Sequence, residues 1–312
     1  MARTLLLSVS CTAVLVLVGF HHVVDDGHVL AAALHALWGW LSLGALVPLG
    51  LAVGWRRRPW VAVTSLVATF ALLPLLRGHG GAPVVEGVPL RVASANVLMV
   101  NDAYDAVIAE LVAADPDVIV LQEVNPDWAE ALATDERLGP WGWHHILPLD
   151  GSFGYAVLSR VPARFATEDL LGVPMGVVTL EMGEREVELL AVHTLPPRTA
   201  ELTERWHAQM AHLATRPCDI LAGDLNATRH HPSYRRLLGT GLRDAHAQVG
   251  RASASTWPRR AFPVPPLRLD HVLVGEGVGV AAVWELPANG SDHAPVVADL
   301  RLNEGDGPGV PR

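Results

Sequence analysis

The sequence predicts an α+β domain, sheet packed on sheet under a cover of helices, carried behind three transmembrane helices. Three observations lead there. Uncharged apolar runs are confined to the first quarter of the 312 residues. After about residue 77, short apolar β segments alternate with amphipathic helical ones, the pattern of layered sheets with helices outside. Polar residues capable of chemistry recur where those β segments stop.

The chain is 50% hydrophobic and only 18% charged, with mean hydropathy +0.29, which excludes a disordered chain and is too apolar for an ordinary soluble enzyme. Residues 4–20, 29–55 and 60–76 are uncharged runs of 17, 27 and 17 residues, against the ~20 that a spanning helix needs. Arg3 precedes the first run and Arg56, Arg57 and Arg58 separate the last two, whereas the first loop carries only Asp25 and Asp26. The positive-inside rule then places the N-terminus in the cytoplasm and everything after the third span outside. Cleavage of the first run as a signal peptide leaves the domain on the same side. His21, His22 and His28 read as polar loop residues. His35, inside the second run, is the one of these four histidines placed within a span.

Residues 78–87 form a Gly- and Pro-containing linker, 88–302 a single large domain, and 303–312 a disordered tail. From residue 78 onward, 18 arginines against 30 acids give −12, which offers nucleic acid no general electrostatic attraction. Two cysteines, Cys11 and Cys218, exclude a disulfide framework and a Cys zinc site. Strands are expected at residues 90–97, 117–122, 144–148, 155–159, 176–181, 187–193, 218–222, 269–274 and 294–300. Helices are expected at 102–114, with Asp102 near its cap, after Asn125 with Pro126 at the first position, and at 200–215.

Asn96, Glu123, His193, Asp224 and Asn226 follow buried strands; Asp270 with His271, and Asp292 with His293, precede them. A buried strand holds its last side chain rigidly while the loop beyond gives access. Carboxylates without Cys favour a hard divalent cation, Mg2+ or Mn2+. Asn amides donate to phosphate without adding charge, and a His beside an Asp serves as acid, base or clamp. That combination suits metal-assisted hydrolysis of a phosphate ester. No Gly-x-Ser-x-Gly nucleophile, Walker loop or Gly-x-Gly-x-x-Gly is present.

Seven motifs in order carry a family resemblance: Ala95-Asn96-Val97; Leu121-Gln122-Glu123-Val124; GYAVLSR from Gly154; Val192-His193-Thr194; Gly223-Asp224-Leu225-Asn226; Arg268-Leu269-Asp270-His271-Val272; and Ser291-Asp292-His293-Ala294-Pro295. Over roughly residues 88–301 the chain resembles the endonuclease/exonuclease/phosphatase superfamily. The resemblance implies a four-layer αββα sandwich (DNase I-like) with its site at one end of the two sheets. It further implies that Glu123 is the principal Mg2+ ligand, with Asp292 a second carboxylate near the metal. Asn96, Asn226 and His193 would hold the phosphate, and Asp224 would orient or deprotonate water. His293 would be the catalytic imidazole with Asp270 its partner, the general base being either His293 or Asp224. His271 and Trp257 depart from the usual residues and are expected not to touch the catalytic set. Tyr155 and Arg160 stand between a site role and a structural one.

The three spans followed by this domain also resemble bacterial membrane proteins linked to teicoplanin resistance, which implies a lipid-linked phosphate or pyrophosphate, for instance polyprenyl-linked, as substrate at the bilayer. Trp141, Trp143 and residues 261–267 are candidates for lipid contact, the tryptophans reading better as core. A metal-dependent nuclease acting on DNA and a catalytically inactive membrane-anchored module are the alternatives.

Overall fold

The computed structural model describes residues 1–76, 84, 86–260 and 263–303. Most of the expected linker, residues 304–312 of the expected tail, and Ala261 and Phe262 lie outside them.

The N-terminal region is a helical bundle: α1 (Ala2–Val23), α2 (Val29–Ala36), α3 (Trp38–Leu41), a 3-10 turn Ser42–Ala45, α4 (Leu46–Gly54) and α5 (Arg58–Leu76). This corrects the expectation of three regular spans. Among the described residues only α1 is by itself long and apolar enough to cross a bilayer. The 27-residue run is not one helix. It bends by 60° at Leu37, φ −86° and ψ 1°, between α2 and the stretch Trp38–Gly54, which is itself interrupted by the 3-10 turn Ser42–Ala45. In α5 the apolar part with described side chains, Arg58–Leu73, is shorter still. Ala45, Ala68 and Ala71 pack the bundle together with Val14, Val18 and Leu49, small residues allowing close approach. Leu5, Leu15, Val47, Leu66 and Phe70 point outward and are about half exposed or more.

The remaining elements are β1 (Val88–Asn96), α6 (Tyr104–Ala113), β2 (Val118–Gln122), α7 (Pro126–Thr134), β3 (Trp143–Leu147), β4 (Tyr155–Ser159), β5 (Ala163–Asp169), β6 (Pro174–Met182), β7 (Arg185–His193), α8 (Ala200–Leu213), β8 (Ile220–Asp224), α9 (Pro232–Leu238), β9 (Arg243–Asp244), α10 (Ala245–Gln248), β10 (Asp270–Val274), β11 (Val278–Glu285) and β12 (Val296–Leu302). They form two six-stranded sheets, ordered β11-β12-β1-β2-β4-β3 and β5-β6-β7-β8-β10-β9.

Each sheet contains one parallel pair, β1 with β2 and β7 with β8. A parallel pair needs a crossover, and α6 and α8 supply it. Crossover helices lie on the faces away from the partner sheet, so four layers result. That is why the central strands read as unbroken apolar runs. In β2, Val118 and Val120 face the other sheet, whereas Ile119 and Leu121 meet Ile108, Leu111 and Trp128 of the helical layer. In β7, Leu189 faces inward, while Leu190 and Val192 pack on Trp206, Met210 and Tyr234.

Asn125 caps α7, its Oδ1 accepting from Trp128 N at 2.8 Å. Asp102 does not cap α6, which begins after Ala103 with no side-chain cap.

The bundle is docked on the domain. Asp26, fully buried, accepts from the N–H and hydroxyl of Ser233 at 2.9 and 2.7 Å, closing the first turn of α9. Arg236 pairs with Asp25 at 2.9 Å. His21 is not the loop residue expected: it is 2% exposed, stacked on Trp38 with ring centroids 4.1 Å apart and 3.3 Å from His35.

His231 and His271 are both buried, and burial first of all pushes each imidazole down to about 3. His271 Nε2–H donates to Ala227 O at 2.8 Å, and Nδ1 lies 3.2 Å from the Tyr234 hydroxyl. Unfolded histidine titrates near 6.5, so the unfolded chain takes up protons that the folded one refuses. Their contribution is present above about pH 6.5 and is lost as pH falls toward 3, at about 1.4 kcal/mol per pH unit for each ring. We expect the melting temperature to fall from pH 7 to 5 and the slope to flatten by about one proton in His271→Asn; an unchanged slope refutes the assignment.

Candidate active site

The register of the two sheets builds the site. In one sheet Asn96 of β1 lies beside Gln122 of β2, and Glu123 is the next residue. In the other, His193 of β7, Asp224 of β8 and Asp270 of β10 stand at one level across three adjacent strands. The loop before β12 brings Asp292 and His293, pinned by Ser291 Oγ, which donates to Asn96 O at 2.7 Å and accepts from His293 N at 3.0 Å.

These side chains form one connected set. Asn96 Nδ2 donates to Glu123 Oε1 at 3.1 Å and to Asp224 Oδ2 at 3.2 Å. His193 Nε2 and His293 Nε2 each lie 3.7 Å from that same Asp224 oxygen. His293 Nδ1 bonds Asp270 Oδ2 at 2.8 Å, and His193 Nδ1 bonds Ser152 O at 2.9 Å. Asp270 is held from behind by Thr256 Oγ1, which accepts from its N–H at 3.2 Å. Two positions join less directly. Asn226 donates its N–H to Asp224 Oδ1 at 2.8 Å, and its side-chain Nδ2 is engaged with Thr194 O at 2.9 Å. Asp292 Oδ2 accepts from Trp257 Nε1 at 3.0 Å.

The contact from Trp257 corrects one expectation, because Trp257 does touch the proposed set. Its indole, one donor and no acceptor, aims the Asp292 carboxylate. The Ser-Thr-Trp-Pro segment pairs with residue 267 in an isolated bridge, a long-range contact with no local signature. His271 stays structural as expected. Tyr155 bonds Thr167 at 2.7 Å inside the sandwich. Arg160 pairs with Asp115 and lies 3.9 Å over the Trp141 ring. Trp141 is buried and donates to Pro116 O, whereas Trp143 is 42% exposed.

Glu123 has φ +64° and Asn226 φ +46°, left-handed backbone that non-glycine residues adopt at some cost and mostly where surrounding structure imposes it. The Glu123 turn aims Oε2 at Met99 N, 3.1 Å away.

Charge is concentrated here. Asp224 is fully enclosed, and burial raises its carboxyl above the usual range, with His293 the main opposing influence. Burial alone would lower His293, but Asp270 and then Asp224 outweigh it and raise the imidazole to about 10. His293 is therefore an imidazolium near neutral pH.

The donor set fits a hard cation. Glu123 and Asp292 supply carboxylate oxygens, the donor type that suits Mg2+ or Mn2+. Asp224, Asp270 and His293 also lie close enough to share an ion. His293 Nδ1, however, is committed to Asp270 at 2.8 Å, with Asp224 3.7 Å from the other nitrogen, so these three read as a charge-paired group.

Fold and site together define a metal-dependent phosphoric ester hydrolase. The chain belongs to the endonuclease/exonuclease/phosphatase family, whose family model matches residues 93–293. Among curated proteins no sequence match was found. Solved structures share the fold. An endonuclease/exonuclease/phosphatase from Beutenbergia cavernae is 24% identical, covering 69% of this chain and 72% of its own, with TM-score 0.55. D. rerio TDP2, complexed with single-strand DNA product, is 16% identical over 68% of this chain and 99% of its own, TM-score 0.58. The 3′ phosphatase NExo from Neisseria, bound to a product DNA hairpin, is 20% identical over 69% and 100%, TM-score 0.54.

Proposed function

We propose that the chain is a membrane-attached, Mg2+-dependent phosphoesterase that hydrolyses a lipid-linked phosphate or pyrophosphate at the outer face of the bilayer. The observation that carries the hydrolytic part is the unbroken run Glu123–Asn96–Asp224–His293–Asp270. Membrane attachment is supported by α1, by the outward apolar side chains of the bundle and by its docking on α9. In this reading α1, the bent α2–α4 unit and α5 lie in the bilayer, and Arg56 to Arg58 mark the cytoplasmic side.

Glu123 and Asp292 would hold the cation, which when bound neutralises charge on the phosphoryl oxygens. Asn96, with Asn226 and His193, orients the phosphate. His293, kept charged by Asp270, donates from Nε2 to the phosphoryl group. Asp224, on the other side of that nitrogen, orients the attacking water and accepts its proton, since an imidazolium is no base. In-line attack then proceeds from a fixed geometry, where most of the rate gain arises.

The test offers the detergent-solubilised full chain, with Mg2+, supercoiled plasmid and a polyprenyl diphosphate in parallel, with His293→Ala as control. Phosphate release from the lipid that vanishes in the variant, with plasmid intact, is the expected result. Nicked plasmid with untouched lipid replaces this reading with a nuclease, and no turnover of either leaves the inactive module.

A further inference from the structure

Between the helical bundle and the catalytic domain lies a cavity of about 330 Å³ that contains none of the proposed catalytic residues. Its two walls differ in chemistry. The bundle contributes Gly39, Trp40, Leu43 and Leu75; the domain contributes Arg229 and Arg268. The walls are held together around the opening: Trp40 Nε1 donates to Pro266 O at 3.1 Å, and Arg229 Nη2 to Leu75 O at 2.8 Å.

Arg268 is the unusual member. It is 5% exposed, and its Nη2 is taken by a close pair with Asp244. Its Nε and Nη1 are buried and meet no hydrogen-bond partner among the described residues. Two unmet donors on one buried guanidinium are costly and call for an explanation. The charges around it do not cancel. Arg229 and Arg268 interact with Asp244, two cations against one carboxylate. The neighbouring His230 adds no charge, because burial and then Arg229 push it down to about 2. Among the described residues the cavity wall thus carries Arg229 and Arg268 beside Asp244, with two unmet Arg268 donors just behind it, next to apolar helices.

An unmet guanidinium N–H can donate to a phosphate oxyanion, and the apolar wall matches an acyl chain. A basic pocket flanked by membrane helices is a site of the kind that takes an anionic headgroup, and the volume is within the range of ligand sites, roughly 300–1,000 Å³. We infer that this cavity binds an anionic phospholipid of the surrounding bilayer, its phosphate on Arg268 and Arg229 and its chains along Trp40, Leu43 and Leu75, as a second site apart from the catalytic centre. The inference rests on the reading that the bundle lies in the membrane. Its consequence is positional: Arg268 and Thr228 of the lining each stand two residues from a proposed site residue, Asp270 and Asn226, so an occupied cavity braces the loops that carry both.

The full chain is reconstituted into vesicles of equal parts phosphatidylglycerol and phosphatidylcholine, released in mild detergent, and its retained lipid counted by native mass spectrometry. We expect phosphatidylglycerol to be retained over phosphatidylcholine, and retention to weaken by at least about tenfold in Arg268→Gln. Because that variant strands Asp244, Ala254→Leu fills the cavity with the arginine left in place and is expected to give the same loss. Equal retention in Ala254→Leu, or no preference between the two lipids, overturns the site. Displacement of the lipid by inorganic phosphate alone also overturns it, in favour of a soluble anion. Flotation of the chain with the same vesicles separates the two readings. A chain that floats but retains no phosphatidylglycerol sinks this inference alone, and a chain that does not float sinks the membrane reading beneath it.

Discussion

Replacing His293 with alanine is expected to lower turnover by about 10²- to 10⁴-fold, or roughly 3 to 5.5 kcal/mol of transition-state stabilisation. The imidazole sits between two carboxylates, 2.8 Å from Asp270 and 3.7 Å from Asp224, and both hold it charged. His193 Nε2 stands equally far from Asp224, 3.7 Å, but its Nδ1 is held by Ser152 O and not by a carboxylate, so alanine removes the one imidazole that Asp270 orients. The variant also leaves the buried Asp270 without its partner, and Asp270 Oδ1 is already unpaired among the described residues. Some loss of stability therefore accompanies the loss of rate. Asp270→Asn separates the two effects: it keeps the imidazole, removes the charge that holds it protonated, and is expected to reduce turnover by a smaller factor. Initial rates on the preferred substrate, beside the melting temperature of each variant, test this. Turnover of His293→Ala within about tenfold of the parent removes His293 from the chemistry.

Gly223→Ala is expected to abolish the folded domain, at a cost above about 4 kcal/mol. Gly223 has φ +148°, and a Cβ there falls 1.8 Å from Val192 O and 2.8 Å from Val192 C. The obstacle is the backbone of the neighbouring parallel strand β7 and has no rotamer to yield. In Gly223-Asp224-Leu225-Asn226 the glycine is thus the residue that lets β8 approach β7 closely enough to put Asp224 level with His193. Thermal unfolding of the full chain checks this. A melting temperature within a few degrees of the parent means the two strands separate more easily than their packing implies, and the site's register is then softer than argued.

The strands that form the centre of each sheet were legible because both of their faces are buried. DVIVLQ, VELLAVH and DILAG are apolar irrespective of side, so no periodicity had to be resolved. The observed β4 has the expected bounds, and β7 and β12 start or end within two residues. The elements that went unread are those whose apolar content is diluted. The edge strand β5, ARFATED, is mostly exposed. VGVAAVWE of β11 breaks its alternation at a bulge between Val280 and Ala282. The short α9 takes its N-terminal hydrogen bonds from Asp26, more than 200 residues away in sequence. The second membrane segment was misread for the opposite reason. Hydropathy counts apolar residues, but the straightness of a helix depends on backbone dihedrals, and the break falls at Leu37, ψ 1°, an apolar residue that leaves the count unchanged.

The sequence by itself determined the family, the polar residues at strand ends, and the division between an apolar N-terminal region and a domain of −12 charge. These are properties of residue type and order, which local physics imposes before any folding. The tertiary structure decided what those residues touch. It tied Trp257 to Asp292, engaged the Asn226 amide with Thr194, buried His21 against Trp38, and enclosed Arg268 beside a cavity walled by the helical bundle. Each of these joins segments distant in the chain, and two are set by hydrogen-bond directions that only strand register and loop closure define. A motif specifies which groups are present; the energy of each group depends on what is buried next to it, and that neighbour is chosen by the fold.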